Sequence, residues 1–234
     1  MGTSDLITLF FLVAAVVIFF QLRNVLGRRT GNEKPRYQQQ STMREAADAP
    51  QQARREGKVI TLPGADKERE AQRFEAIDKM TAVGTPANEG LRMLVKADPQ
   101  FDPAEFVKGA RSAYEMIVMG FADGDRRTLK NLLSKEVFDG FNAAMSEREA
   151  KGESVKANFV GIEEITVTAA EMVKQEAHVT LRIVSQLISA TYDKEGTLVE
   201  GHPEEIAEVR DIWTFARDTR ARDPNWKLIA TASE

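Results

Sequence analysis

Residues 101–125, FDPAEFVKGARSAYEMIVMGFADGD, carry the reading from which the fold of the carboxy-terminal half follows. Asp102 is a helix-capping residue type, Pro103 suits the first helical position, and Glu105 stands three residues after the cap, so a helix starts here. Phe106, Ala110, Ala113, Tyr114, Ile117 and Phe121 recur at spacings of three and four, giving one apolar face over more than four turns. Asp123-Gly124-Asp125 ends it. Leu129, Leu132 and Leu133 predict a short second helix, and Ser134 opens a third that runs through Val137, Phe138, Phe141 and Met145 to Gly152.

After Gly152 the period changes to two. Phe159 to Thr168 reads as a strand rich in Val, Ile and Thr, and Val179, Leu181, Ile183 and Leu187 alternate with polar residues in a second. Asp193-Lys194-Glu195-Gly196 supplies a turn. A strand from Val209 to Arg217, an Asp223-Pro224-Asn225 turn and a strand from Trp226 to Ala232 follow. Short turns imply antiparallel pairing. Helices followed by a curved antiparallel sheet give an α+β domain over residues 98–234, with the sheet wrapped round the first helix.

Upstream, residues 66–97 predict an amphipathic helical segment. KEREAQRFEAIDKMTAV places Ala71, Phe74, Ile77 and Thr81 on one narrow face, opposite a heavily charged one. Two large apolar residues favour docking on a partner or on the chain itself over insertion into lipid. Residues 27–65 are poor in large apolar side chains and rich in Gln, Arg, Pro and Gly, the composition of a disordered basic linker. Val59, Ile60 and Leu62 form a small apolar patch within it, a linker feature or a docking peptide.

The amino terminus belongs to the membrane. Residues 6–22, LITLFFLVAAVVIFFQL, carry no charge, and Leu6, Leu9, Phe10, Phe11, Val16, Phe19, Phe20 and Leu22 supply bulk for an anchor within residues 1–26. As a helix the run rises about 25 Å, close to the roughly 30 Å hydrocarbon core. A cleaved signal peptide lacks both its basic n-region and a small-residue cleavage site here. Arg23, Arg28 and Arg29 follow the run, and no Lys or Arg precedes it. Positive-inside topology then puts the carboxy-terminal domain in the cytoplasm, behind a single inner-membrane span.

Charge divides along the chain. From Arg23 to Ala97 there are 15 basic and 10 acidic residues; from Asp98 to Glu234 there are 17 and 25. The basic half suits anionic lipid headgroups, and the acidic half argues against nucleic acid as a ligand.

The phrases FDPAEFVKGARSAYEMIVMGFADGD, LKNLLSKEVFDGF, SEREAKG and VRDIWTFARDTRARDPNWKLIAT resemble the Tim44-like domain family over roughly residues 99–234. That family includes the membrane tether of the mitochondrial import motor and bacterial membrane-anchored adaptors. The resemblance implies a cone-shaped fold of the nuclear-transport-factor-two type. It also implies an adaptor role in protein translocation or membrane-protein biogenesis, recruiting chaperones, translocation machinery or membrane-protein clients to the bilayer. This chain departs from the mitochondrial pattern in having an expected anchor and a short tether in place of a long amino-terminal region.

Chemistry is sparse. No nucleotide loop, zinc spacing or nucleophile elbow is present, there is no cysteine, and His178 and His202 are the only histidines. Cofactor, metal and catalytic residues are therefore not expected, and His178 reads as an exposed strand residue and His202 as a turn residue. Asp211 is the exception. It lies between Val209 and Trp213 on a strand face that should be apolar, where an acid is costly unless paired. A hydrogen bond to a backbone amide or an arginine accounts for it. The second reading is a membrane-tethered lipid- or small-molecule-binding domain, with an apolar opening lined by Phe121, Asp211 and Trp213 and isomerase or dehydratase chemistry at Asp211.

Overall fold

The computed structural model describes residues 65–221 and 223–234. The expected anchor, its flank Arg23, Arg28 and Arg29, and all but the last residue of the expected linker lie outside them. Among the described residues no helix is long and apolar enough to cross a membrane.

Among the described residues five helices precede four strands: α1 Ala65–Met80, α2 Pro86–Ala97, α3 Pro103–Asp123, α4 Arg126–Leu132, α5 Lys135–Lys151, β1 Ser154–Val173, β2 Glu176–Tyr192, β3 Leu198–Asp218 and β4 Lys227–Ser233. The strands form one antiparallel meander in the order β1-β2-β3-β4. Bulges interrupt the ladder at Phe159/Gly161, Ile162/Glu164 and Val167/Ala169 of β1. Each bulge bends a strand and increases its twist, so the sheet curves around the helices.

The helix starts and stops are local chemistry. Asp102 accepts from the amides of Ala104 and Glu105 at 2.8 and 3.1 Å, and Gly124 closes α3 with φ 72°. Asp125 and Ser134 cap α4 and α5, and Gly152 ends α5, also at φ 72°. Glu105 does not reach back to complete a reciprocal cap; its carboxylate lies 3.8 Å from Lys108 Nζ, one turn on. The predicted strands are too short. β1 extends at both ends beyond 159–168, and β3 begins at Leu198 instead of Val209, because partners on β2 supply the hydrogen bonds that local composition does not advertise.

The core lies between α3 and the sheet. Phe106, Ala110, Tyr114 and Ile117 face Val179, Leu181 and Ile183 of β2 and Trp213 and Phe215 of β3. Leu129, Leu133, Met145 and Leu228 continue it under α4 and α5. It also extends upstream of the expected boundary at residue 98. Leu91, Leu94 and Val95 of α2 are buried, as is Ile77 of α1. The face expected to dock therefore docks on its own chain through Ile77 and Thr81, while Ala71 stays exposed. Asn88 joins the two helices, donating to Asp78 Oδ1 at 2.9 Å and to the Thr81 carbonyl at 3.2 Å. Arg92 bonds the same Asp78 and lies over the Phe74 ring, 4.7 Å from its centre.

Gly90 sets how closely α2 lies on β1. A Cβ there would fall 1.8 Å from the carbonyl oxygen of Ala170, so only glycine lets helix and strand backbones meet. Gly109 in α3 faces open space. Gly90→Ala is expected to lower stability by about 1–3 kcal/mol or more through overpacking. Gly109→Ala is expected to raise it by about 0.5–1 kcal/mol through helix propensity. Urea melts of the two variants beside the parent check both signs.

Candidate functional site

Asp211 is buried, 8% exposed, where β3 passes beneath the middle of α3. In the ladder it pairs with Ile183 of β2, and Ser185 stands diagonally from it on the same face. Tyr114 reaches down from α3 and donates to Asp211 Oδ2 at 2.6 Å. Its hydroxyl hydrogen is thereby used, so Ser185 Oγ, 2.8 Å away, donates to the tyrosine oxygen. The carboxylate thus has a tyrosine partner where a backbone amide or an arginine was expected.

Burial pushes the Asp211 carboxyl up to about 6, and hydrogen bonds from Tyr114 and then Trp213 pull the other way. The Tyr114 hydroxyl is raised, first by its own burial and then by the charge of Asp211. Aromatic rings enclose the pair. Trp213 packs on Tyr114 at 4.5 Å between ring centres, and Phe159 of β1 lies at 6.0 Å.

Of the expected opening, Asp211 and Trp213 share this cluster through Tyr114. The ring contacts of Phe121 lie elsewhere: on Phe141 at 5.0 Å and under Arg148 at 5.3 Å, where the guanidinium also caps the Phe121 and Ala122 carbonyls. Seven residues, about two helical turns, separate it from Tyr114. His178 is half-buried, 3.2 Å from Glu176, and His202 is an exposed strand residue whose Nδ1 accepts from the Glu204 amide. Among the described residues no three His, Cys, Asp or Glu side chains gather as a metal site.

Sequence reasoning assigned Tyr114 to the apolar face and passed over Ser185. The available signal was the phenol itself: a buried tyrosine hydroxyl requires a partner, and so did Asp211. Chemically the cluster has one feature of a general base, a carboxyl titrating near neutrality. Its two hydroxyls and enclosing rings also make it a closed structural network.

A second cluster sits at the start of α3. Arg217 forms a half-buried ion pair with Asp98, and its guanidinium lies over Trp226 at 5.1 Å. Trp226 packs on Phe106 at 4.6 Å and Phe101 at 5.7 Å. The two phrases that look specific in sequence, TFAR at 214–217 and DPNW at 223–226, thus meet on the residues that introduce α3.

Residues 87–233 match the Tim44-like domain. The chain belongs to the Tim44-like domain family. The match begins inside α2, at the buried Ala87, and ends at the last residue of β4. The human mitochondrial import inner membrane translocase subunit TIM44 is 20% identical over 148 residues, 62% of this chain and 33% of that protein. The Arabidopsis thaliana subunit TIM44-1 is 24% identical over 118 residues, covering 50% of this chain and 25% of that one. The probable Caenorhabditis elegans subunit tin-44 is 21% identical over 159 residues, covering 66% and 37%. The match thus spans between 25% and 37% of each relative's length. Among solved structures, the intermembrane space region of the chloroplast protein ARC6 aligns with TM-score 0.38 and 10% identity, over 54% of this chain and 94% of that one.

The folded Asp211 value of about 6 exceeds the roughly 3.9 of an unfolded chain. The native state therefore binds more protons than the unfolded state between these values. The contribution of Asp211 is most favourable below about pH 4 and is lost as pH rises through 6, by about 3 kcal/mol for this group alone. Urea melts at pH 4.5 and pH 7 are expected to show about 2 kcal/mol of this loss in the parent, and Asp211→Asn to flatten that component. Trp213→Ala, at a side chain only 4% exposed, is expected to cost about 3–5 kcal/mol in the same assay.

Proposed function

We propose that the protein is a membrane-anchored adaptor of the inner membrane, acting without catalysis in protein translocation or membrane-protein biogenesis. The observation that carries this reading is the family membership across nearly the whole described domain, shared with import translocase subunits. The uncharged run of residues 6–22 and the arginines after it support a single span with the domain on the cytoplasmic side. A tether of some forty residues would hold the domain near the bilayer. Tethering raises the local concentration of a partner without demanding high intrinsic affinity. Chaperones, translocation components and membrane-protein clients are the partner classes that follow, with membrane lipid at the anchor. A cone-shaped outline of the nuclear-transport-factor-two type belongs to the same reading.

A second reading has one observation in its favour, the near-neutral carboxyl of Asp211 beside Tyr114. On that reading the domain binds a lipid or small molecule, and Asp211 acts as a base in isomerase or dehydratase chemistry.

Crosslinking and pull-down of the full-length anchored chain separate the two. The adaptor is expected to recover chaperone or translocation proteins, and Asp211→Asn, folded by circular dichroism, is expected to recover the same set. Recovery of no protein partner, together with a bound small molecule whose turnover disappears in Asp211→Asn, would overturn the adaptor reading.

A further inference from the structure

The meander leaves one strand half covered. β4 pairs with β3 only from Asp211 to Ala216. Among the described residues no strand lies on the outer side of β3 from 198 to 209, where it pairs with β2 alone as a projecting arm. Backbone amides and carbonyls on an uncovered edge are a template for another strand. Four residues of β3, 203–206, have no partner on β2, because the ladder passes from Ser189↔His202 to Leu187↔Ala207. This bulge, with Pro203 and two glutamates, blunts the middle of the edge and leaves short stretches on either side.

The arm is both apolar and acidic. Leu198, Val199 and Ile206 are exposed, Val199 by 55%. Asp193, Glu195, Glu200, Glu204, Glu205 and Glu208 outnumber the lone Lys194 from 193 to 208. Glu200 is raised by burial and by neighbouring Glu153, so negative charge there is not fully compensated.

The chain contains a segment of complementary chemistry outside the described residues. Residues 54–62, RREGKVITL, present Arg54, Arg55 and Lys58 beside Val59, Ile60 and Thr61, which have high strand propensity. We propose that the outer edge of β3 in this arm receives residues 54–62 of a second copy of the chain as an added strand.

Reach favours the second copy, because the segment joins the fold at the far end of β2 from the arm. Arg73 of α1 bonds the Phe101 carbonyl, and Phe101 leads through Phe106 and Phe215 to Val179, at the opposite end of β2 from the arm. From Val179 to Ala190 the strand rises about 36 Å. The helix before Arg73 and an extended chain back to Ile60 together span about 29 Å at most. Chains anchored in one membrane meet at high local concentration, and opposite charges would steer the contact.

The chain has no cysteine, so introduced thiols report without background. Full-length Ile60→Cys and Val199→Cys chains are mixed in mild detergent and oxidised, with Val83→Cys, 70% exposed on the helical side, as the control partner. The 60–199 heterodimer is expected to form several-fold faster than the 60–83 pair. It is expected to weaken in high salt and to be lost when Arg54, Arg55 and Lys58 are all changed to Glu in the Ile60→Cys chain. Glu204→Lys with Glu205→Lys and Glu208→Lys on the Val199→Cys chain is expected to restore it, with circular dichroism confirming folding of each variant. Equal rates for the two pairs, or a disulfide confined within one chain carrying both thiols, would overturn the proposal. So would exclusive attachment of a photoreactive group at 199 to lipid or to a different polypeptide.

Discussion

A buried carboxylate leaves little freedom to whatever covers it, and Asp211 governs this domain in that way. Placed among apolar side chains, it requires a hydrogen-bond donor within reach, and α3 provides one through Tyr114. Because the hydroxyl extends from a helix and Ser185 and Asp211 from different strands, their bonds fix the rotation and depth of α3 on the sheet. Phe106, Ala110 and Ile117 are then carried onto the strands by helical geometry. Hydrophobic burial supplies most of the cohesion, and the polar contact selects one arrangement of it.

The start of α3 is held by separate means. Arg217 fastens β3 to Asp98, just before the helix, and rests on Trp226, which packs against Phe101 and Phe106. Gly90 brings α2 into backbone contact with β1 nearby. Residues more than a hundred positions apart thus share one joint. This explains why the family match reaches back into α2, since the helix belongs to the same core.

Legibility in the sequence followed the range of the forces involved. The caps at Asp102 and Ser134 and the glycine stops at Gly124 and Gly152 are satisfied by atoms a few residues away, so α3 and α5 could be placed closely. β3 was read only from Val209 because Gly201, Pro203 and the glutamates before it argue against a strand, and pairing with β2 overrides them. Asp211 was recognisable as an acid on an apolar face. Its partner was not, because Tyr114 lies 97 residues away and periodicity had already assigned it to the core. Phe121 shared that periodicity, yet it packs on α5.

The amino-acid order by itself determined the helix-then-strand succession, the capped ends of the helices, the acidic character of the domain and the uncharged, arginine-flanked run at the amino terminus. These depend on nearest neighbours, on spacing along one element, or on composition alone. Tertiary structure decided the full length of the strands, the entry of α2 and Ile77 into the core, the backbone approach at Gly90 and the closed Tyr114–Asp211–Ser185 network. Each brings together atoms far apart in the chain, and such meetings depend on how the whole sheet curves. The curvature arises from bulges whose register only the paired strands define.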